Sequence, residues 1–386
     1  MHSASKASPG DRLRVLHVGK YYPPHRGGME SHLQALCAQL GKSVDVSVVV
    51  SSSDRRSKRE IVDGIPVQRA ATLMKVNGAA LSPGLVQAIR SAKADIVHLH
   101  HPNPAAMLAY LAARPRGQLV ITYHSDIVRQ RLLGSLFAPV LQHALRHAAA
   151  IVLASPQHLA NSRALAAHSE RCVVIPYGIA TEPFALCHRE KVDAIHARYG
   201  SRIILGVGRL VRYKGFTHAI EAMSKVRGHL LLAGDGPLRP SLEKQIQARG
   251  LSDRVTLLGD VEDLVPYYHA AGIFVLPSVT PNEAFGIVQL EAMACGLPVV
   301  NTSLASAVPF ISIGGLTGVT VAPGDSHALA TELEALLNEP DRRARLGAEG
   351  RRRVREMFSL DAMASQTLTL YQRLRGAASA AAGKSS

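Results

Sequence analysis

The chain has 386 residues, a hydrophobic content of 47% and a net charge of +15, and its length is typical of two domains of ~100–200 residues each. Its four cysteines are scattered, with no spacing typical of a metal site or a redox pair, which argues against a disulfide framework and favours a reducing cytoplasm. No apolar run reaches ~18 residues, so no membrane-spanning helix is predicted.

The first half of the chain alternates short apolar runs with helical periodicity, after a flexible polar lead-in over residues 1–12. The apolar runs are LRVLHVG, VDVSVVVS, ADIVHLHH, QLVITYH, AAIVLAS and RCVVIPYG. Short runs of this kind, separated by helical segments, predict a parallel sheet with crossover helices. We therefore expect a Rossmann-like domain over residues 13–177.

The same pattern restarts in the second half. RIILGVG is followed by the helical segment GFTHAIEAMSKV, and then by the runs HLLLAGDG, RVTLLGD, GIFVLPS and PVVNTS. This predicts a second Rossmann-like domain over residues 178–360, a C-terminal crossover helix over 361–376 that returns toward the N-terminal domain, and a disordered tail over 377–386. The predicted fold class is α/β, with two doubly wound domains facing a cleft and ligands bound beyond the carboxyl ends of the strands.

The positive charge is concentrated in the first half. Residues 1–180 contain 21 Lys and Arg against 9 Asp and Glu, whereas residues 181–386 contain 23 against 20. A basic half suits an acidic partner such as an anionic membrane, a phosphorylated lipid or a nucleic acid, although general solubility explains it equally well. A nucleic-acid partner is not expected, because only 4% of residues are aromatic and stacking platforms would need more.

Two loops have the composition of phosphate-binding sites. GKYYPPHRGGMES carries Gly27 and Gly28 at a predicted helix start, where free amides favour a phosphate, although a plain tight turn is the alternative. GVGRLVRYKGF places Arg209, Arg212 and Lys214 between a strand and a helix, which suits a diphosphate unless the loop is simply solvated. The fingerprint G-x-G-x-x-G is absent, which disfavours a dinucleotide-dependent oxidoreductase.

Histidines follow two of the predicted strands. TYHSDIV places His124 and Asp126 just beyond a buried strand, where a functional role competes with a structural one. HLHHPNP supplies His98, His100 and His101, but alternate strand positions share only one face, so no metal site is predicted. The chain also lacks Asp-x-Asp, a common hint of a metal-bridged sugar nucleotide.

Glu283 and Glu291 are separated by seven residues in PNEAFGIVQLEAMACG. A helical rise of ~1.5 Å per residue would place them ~12 Å apart, farther than the ~5–9.5 Å between glycosidase carboxylates. The spacing suits a long ligand with one carboxylate near each end. Residues 284–288 would then present the free amides of a helix start to its middle.

The order of these motifs resembles a retaining glycosyltransferase of family 4 with the GT-B arrangement. The resemblance rests on GGMES, TYHSD, VIPYGI, GVGRLVRYKG, AGDGP, LGDVED and EAFGIVQLE, and it covers nearly the whole chain. It implies that anomeric configuration is retained without a divalent metal or a cofactor. The acceptor hydroxyl would enter on the side from which the diphosphate leaves, and the diphosphate would take its proton.

The resemblance also implies a role for each motif residue. Glu291 should hold the ribose, Glu283 the donor sugar, and Val261 the base through its backbone, while Arg209 and Lys214 bind the diphosphate. The expected catalytic residues are His124, Glu283, Arg209 and Lys214, and the expected substrate-binding residues are Gly27, Gly28, Asp126, Val261, Ala284, Phe285, Gly286, Val288 and Glu291.

The expected substrates are a nucleotide-diphosphate sugar, with GDP-mannose favoured over UDP-hexoses, and a lipid-linked saccharide acceptor in O-antigen or capsule synthesis. The alternatives are a UDP-sugar-dependent enzyme of the same family and an epimerase or phosphorylase of the same architecture. We expect a cytoplasmic enzyme that contacts the inner face of the membrane peripherally. Residues 128–147 fit either a membrane-facing helix or an ordinary core helix, and Pro139 is expected to interrupt it.

Overall fold

The computed structural model of the protein describes residues 12–25, 28–76, 79–125 and 131–382. Its strands are β1 Arg14–Val18, β2 Asp45–Ser51, β3 Lys58–Val62, β4 Ile65–Ala70, β5 Met74–Val76, β6 Ala79–Leu81, β7 Ile96–His101, β8 Gln118–Tyr123, β9 Ala150–Leu153, β10 Cys172–Val174, β11 Ile203–Val207, β12 His229–Ala233, β13 Val255–Gly259, β14 Ile273–Val275, β15 Val299–Thr302 and β16 Gly318–Val321.

The helices follow the same order along the chain. They are α1 Gly28–Leu40, α2 Gly84–Ser91, α3 Pro104–Ala113, α4 Arg131–His147, α5 Pro156–Asn161, α6 Glu182–Ala185, α7 Arg189–Tyr199, α8 Phe216–Ala222, α9 Arg239–Ala248, α10 Val265–Ala270, α11 Val288–Ala294, α12 Val308–Ile311, α13 Ser326–Asn338, α14 Pro340–Met357 and α15 Leu360–Ala382, with 3₁₀ turns at Ala166–Arg171 and Arg212–Lys214.

The chain forms two compact units. The N-terminal unit comprises residues 1–178 together with 360–386, and the C-terminal unit comprises residues 179–359. The sequence placed the corresponding divisions at 177/178 and 360/361. Each unit has its own parallel sheet, so the prediction of an α/β chain with two Rossmann-like domains is confirmed.

The sheet of the N-terminal unit has the strand order β10-β9-β8-β7-β1-β2-β4-β3, and only β3 in it runs antiparallel to its neighbour. The order reverses between β1 and β7, which is where ligands bind in such sheets. The register pairs His17 with His98 and His100 with Thr122. Side chains of these four residues therefore share one face of the sheet.

The sheet of the C-terminal unit has the order β13-β12-β11-β14-β15-β16, and its pairs are all parallel. The order reverses between β11 and β14. The loops that follow these two strands contain the basic motif GRLVRYKG and the two-glutamate segment. The topology thus brings the second unit's two predicted binding loops to one edge of its sheet.

The C-terminal helix is longer than predicted. Its helical span α15 runs to Ala382, so residues 377–382 are helical rather than disordered, and residues 383–386 lie outside the described part. The segment is rich in alanine, which has the highest helix propensity and outweighs the cost of a single glycine. The helix contacts α1 and buries Leu370 and Tyr371 in the core of the N-terminal unit.

Helix α4 continues through Pro139, so the predicted interruption there is wrong. Its last two turns bury Leu141, Ala144 and Leu145 against the core of the N-terminal unit. This half therefore packs as an ordinary core helix, whereas residues 128–130 lie outside the described part. No helix among the described residues is both long and apolar enough to span a membrane.

Candidate active site

The basic loop of the C-terminal unit is shaped by Gly215. This residue ends the 3₁₀ turn Arg212–Lys214 with a φ of +69° and begins α8. An added Cβ would lie only 1.9 Å from the carbonyl oxygen of Pro277 in the loop after β14. Only glycine accepts both the left-handed conformation and this close approach. The contact holds the basic loop against the loop that carries Glu283.

Lys214 and Glu283 form a buried ion pair between these loops. Lys214 Nζ lies 2.6 Å from Glu283 Oε2, and both side chains are about 90% buried. Ser278 Oγ donates to the same carboxylate oxygen at 3.0 Å. Since an ammonium group has three N–H donors, the pair leaves donors of Lys214 for a further anion. The sequence assigned the two residues to different parts of a ligand and did not predict their contact.

The segment between the two glutamates is not a continuous helix. Glu283 lies in a loop, and α11 begins only at Val288, with Glu291 in its first turn. Gly286 has a φ of +76°, which interrupts helical geometry. The distance of ~12 Å expected for a helix therefore does not apply, and residues 284–287 present loop amides rather than those of a helix start.

These loop amides are nevertheless suited to binding the oxygen atoms of a ligand. None of the described hydrogen bonds has the amides of Ala284, Gly286 or Val288 as donors. The side chain of Phe285 is buried and faces the ring of Phe358, which anchors the loop. Backbone donors without protein acceptors can bind the hydroxyl or phosphate oxygens of a ligand.

Glu291 is held by the buried hydroxyl of Tyr268, which donates to Glu291 Oε2 at 2.7 Å. Burial raises the pKa of Glu291, and the hydrogen bond from Tyr268 opposes this rise only in part. Burial also raises the pKa of Tyr268 well above its usual value, so the hydroxyl stays protonated. The arrangement keeps one carboxylate oxygen oriented by Tyr268 and leaves the other for a ligand hydroxyl.

A cavity of about 440 Å³ lies at the carboxyl ends of β11, β12 and β13. Arg209 and Val261 both line it, so the structure brings together two residues that the sequence predicted for one ligand. Arg209 is exposed and has no ion-pair partner among the described residues. Asp235 and Asp260 add carboxylates to the same lining.

The predicted residues of the N-terminal unit are only partly described. Gly28 is the first residue of α1, and an added Cβ there would meet nothing within 4 Å. Gly27 and Asp126 lie outside the described residues. His124 is buried just beyond β8, and its backbone N–H donates to the carbonyl of His101.

The ring nitrogens of His124 both have protein partners. Its Nε2 lies 3.2 Å from His100 Nδ1, and its Nδ1 lies 2.6 Å from Tyr177 Oη. Burial lowers the pKa of His124 well below its ordinary value, so the ring is neutral at physiological pH. Both ring nitrogens of His124 therefore depend on His100 and Tyr177 for their hydrogen bonds, and the sequence did not predict either contact.

Histidines from two strands, one helix and the loop after β8 cluster around this point. Two groups, His17 with His98 and His100, and His32 with His100 and His124, each bring one ring nitrogen per residue within 4.8 Å of the others. The sequence offered His98, His100 and His101 as possible metal ligands. In the structure His17, His32 and His124 take part in these groups, and His101 does not. Alternate positions on one strand do share a face, but neighbouring strands add further histidines to that face.

Comparison with known proteins identifies the chain. The family model described as "Glycosyltransferase Family 4" matches residues 26–183, and that described as "Glycosyl transferases group 1" matches residues 188–353. O-antigen chain mannosyltransferase C of Escherichia coli is 32% identical over 94% of this chain and 99% of its own. A D-rhamnosyltransferase of Pseudomonas aeruginosa is 31% identical over 90% of this chain and 92% of its own. The chain belongs to glycosyltransferase family 4.

The structure of this glycosyltransferase agrees with that of solved relatives. A sucrose-phosphate synthase from Thermosynechococcus elongatus superposes with a TM-score of 0.75 at 25% sequence identity, covering 95% of this chain and 100% of its own. The two-domain GT-B fold class is therefore confirmed. The glycosyltransferase activity expected from the motifs is likewise confirmed by the family.

The sequence of this glycosyltransferase did not predict four of the contacts made by the expected site residues. Ser278 and Tyr268 hold the two glutamates, and His100 and Tyr177 hold His124. His100 was considered only as a metal ligand. A local signal existed for Ser278, which lies five residues before Glu283, whereas the contacts of Tyr268 and Tyr177 depend on tertiary packing.

Proposed function

We propose that this glycosyltransferase moves a hexose from a nucleotide-diphosphate sugar to a lipid-linked saccharide in the synthesis of a cell-surface polysaccharide, with retention of configuration. GDP-mannose is the favoured donor. The mannosyltransferase relative from Escherichia coli, which is named for the O-antigen chain, supports both the sugar and the pathway. The observation that carries the proposal is the Lys214–Glu283 pair, which lies in the loops that follow β11 and β14.

The donor is bound along the carboxyl edge of the C-terminal sheet. The base lies against the backbone of Val261, and the ribose hydroxyls donate to Glu291. The diphosphate is bound by Arg209 and by the donors of Lys214 that Glu283 does not use. The sugar hydroxyls contact Glu283 and the amides of residues 284–286, while Gly28 and the Val288 amide add donors to the phosphates.

Leaving-group stabilisation is the main source of catalysis in this proposal. Negative charge grows on the diphosphate as the glycosidic bond breaks, and Arg209 and Lys214 are fixed cations that stabilise it without reorganisation. The acceptor hydroxyl enters on the same side and transfers its proton to the diphosphate. No step requires a divalent metal, and His124 lies beside the sugar and the acceptor rather than taking the proton.

The cavity lining supports a guanine base. Asp260 is exposed next to Val261 and lines the 440 Å³ cavity together with Asp235. A carboxylate accepts hydrogen bonds, and the edge of guanine offers two adjacent N–H donor groups where uracil offers one. A UDP-sugar donor remains the alternative. Membership of a transferase family favours transfer over the epimerase and phosphorylase alternatives.

Donor turnover with and without acceptor tests the proposal. Purified enzyme should convert GDP-mannose faster than GDP-glucose, UDP-glucose or UDP-galactose when a polyprenyl-diphosphate-linked saccharide is present. Product analysis by NMR should show an α-linked sugar from the α-linked donor. Preference for a UDP-sugar would contradict the donor assignment, and a β-linked product would contradict retention.

The proposed membrane contact is supported by a basic groove at the amino edge of the N-terminal sheet. The groove encloses about 1140 Å³, and Asp45 and Asp95 pair with two of its cations. Its basic residues are Arg12, Arg14, Arg90, Lys93, Arg114, Arg116 and Arg375. The excess of cations suits the headgroups of anionic lipids.

A further inference from the structure

Three histidines and a tyrosine of the N-terminal unit form a continuous line of hydrogen bonds, which we call the histidine file: His17, His100, His124 and Tyr177. His17 Nδ1 lies 3.1 Å from His100 Nε2, and His100 Nδ1 lies 3.2 Å from His124 Nε2. His124 Nδ1 then lies 2.6 Å from Tyr177 Oη. His100 and His124 each use both ring nitrogens, so the position of the proton on one ring constrains its neighbour.

All three rings are neutral. Burial lowers the pKa of His17 to about 3 and the pKa values of His100 and His124 well below their ordinary range. A neutral imidazole carries one N–H donor and one acceptor nitrogen. Only two proton arrangements therefore satisfy every hydrogen bond in the file, and they run in opposite directions.

The far end of the file decides between these two arrangements. His17 Nε2 is buried and has no hydrogen-bond partner within the part of the chain that the structure describes. If Tyr177 donates to His124, the proton of His17 must be on Nε2, as a buried N–H without an acceptor. In the opposite direction Nε2 is a bare acceptor, and unpaired buried acceptors are more common than unpaired buried N–H groups.

The favoured direction has a consequence for the site. His17 Nδ1–H donates to His100 Nε2, His100 Nδ1–H donates to His124 Nε2, and His124 Nδ1–H donates to Tyr177 Oη. We propose that His17 and His100 are positioning residues that hold His124 as its Nδ1–H tautomer and fix its ring against Tyr177. This inference rests on the role proposed for His124 beside the sugar and the acceptor.

The file also explains why His124 is not the base in the proposed reaction. Its Nε2 lone pair accepts from His100 and its Nδ1 proton is donated to Tyr177, so neither nitrogen is available to take a proton from an acceptor hydroxyl. The ring acts through its fixed position and dipole. The leaving diphosphate remains the group that accepts the proton.

His98 lies on the same sheet face but belongs to a separate network. Its Nδ1 lies 2.5 Å from Tyr371 Oη, and its Nε2 lies 2.6 Å from Thr122 Oγ1. Its ring stacks on that of His100 with centroids 4.8 Å apart, and it lies tilted against that of His17 with centroids 4.9 Å apart. His98 therefore packs against the file, but its ring nitrogens form hydrogen bonds with Tyr371 and Thr122 instead. This makes His98 a matched control for substitutions in the file.

Nitrogen NMR of the unmodified enzyme, labelled with ¹⁵N-histidine, tests the file directly. His124 and His100 should each show a single Nδ1–H tautomer, with Nε2 at the shift of an unprotonated nitrogen. An Nε2–H tautomer or a mixture would overturn the proposal. One equivalent of bound zinc or nickel, measured by elemental analysis of untagged protein, would overturn it too, because a metal needs lone pairs where the file has hydrogen bonds.

Variants then test the effect on catalysis. His17→Leu should allow mixed tautomers of His124 and lower kcat about 10-fold with KM within twofold, since the ring loses its fixed position. His17→Asn, whose amide N–H can replace Nδ1–H, should restore the single tautomer and most of kcat. His98→Leu should lower thermal stability without changing the His124 tautomer. An unchanged kcat in His17→Leu would overturn the positioning role.

His124→Leu separates this inference from the proposed function. An enzyme that keeps its activity without the ring contradicts the role assigned to His124, and with it the positioning role. An inactive His124→Leu enzyme combined with a fully active His17→Leu enzyme contradicts the histidine file alone.

Discussion

At the scale of single residues, the contact between Lys214 and Glu283 changes what each substitution does. The sequence placed Lys214 on the diphosphate and Glu283 on the sugar, and the structure joins them at 2.6 Å. Removing one partner of a buried pair leaves the other as an uncompensated charge, which typically costs ~3–5 kcal/mol. Kinetic and stability effects must therefore be measured together at this pair.

Lys214→Ala should lower kcat/KM by roughly 10²–10³, because one charge-assisted donor to the leaving group is lost. It should also lower the free energy of unfolding, since Glu283 stays buried without its cation. The double variant Lys214→Ala/Glu283→Gln should recover stability in urea titrations but not kcat. Wild-type kinetics in Lys214→Ala would contradict the assignment, and a change confined to KM would mean equal binding of ground and transition states.

Glu291 should make stability depend on pH, because burial raises its pKa above the ordinary value of 4.5. A raised pKa contributes stability that is fully present below the ordinary value and is lost as pH rises through the raised value. Relative to Glu291→Gln, the wild-type enzyme should therefore lose unfolding free energy as pH increases from 4, and the difference should level off once Glu291 is ionised. Urea unfolding of both proteins between pH 4 and 8 measures this. A constant difference would contradict the raised pKa.

At the scale of elements, the periodicity of the sequence predicted the buried strands well. The strands β7 and β11 are buried along their whole length, because helices cover both sides of a parallel sheet. Strands β3–β6 and β16 were not predicted, since β3 is largely exposed, β4 contains Pro66, β5 and β6 are three residues long, and β16 is a half-buried run of four residues. The histidine cluster was missed because lateral strand order is not encoded in the period of any one strand.

The turn that ends at Gly215 should be intolerant of a side chain. Gly215→Ala should lower the free energy of unfolding by ~2–5 kcal/mol, combining ~1–2 kcal/mol for the left-handed conformation with ~1–3 kcal/mol for the clash at Pro277. Gly250 is the control, since it has a φ of +63° and nothing within 4 Å of an added Cβ. Gly250→Ala should cost only the conformational part. Equal losses in urea titrations would contradict the packing argument.

At the scale of the whole molecule, the sequence located the two units, the glycine-rich and basic loops and the two glutamates, because each of these is a local pattern. It also detected the basic first half, and the structure places seven of the cations of the N-terminal unit in one groove. The partners of the site residues depended on which strands are neighbours. Those contacts became visible only when the sheet order was known.

The groove should mediate salt-sensitive binding to anionic lipid. The enzyme should co-sediment with vesicles of phosphatidylglycerol and phosphatidylethanolamine at low salt and be released as salt screens charges beyond ~8 Å. Lys93→Glu/Arg116→Glu, both exposed in the groove, should abolish binding, whereas Lys225→Glu/Lys244→Glu, exposed in the C-terminal unit, should not. Equal binding to neutral vesicles, or equal loss in both double variants, would contradict the groove as the contact.

The claim that the two glutamates bind opposite ends of one donor is tested most directly by the affinity for free GDP, which has a ribose but no sugar. Calorimetric titration should show that Glu291→Ala weakens GDP binding by ~1.5–3 kcal/mol, since a hydrogen bond to a charged group is lost. Glu283→Gln should bind GDP at least as tightly as the wild type, because Lys214 is then free of its partner, and yet it should lose kcat. If both variants bind GDP equally, whether normally or poorly, the glutamates do not hold opposite ends of the donor.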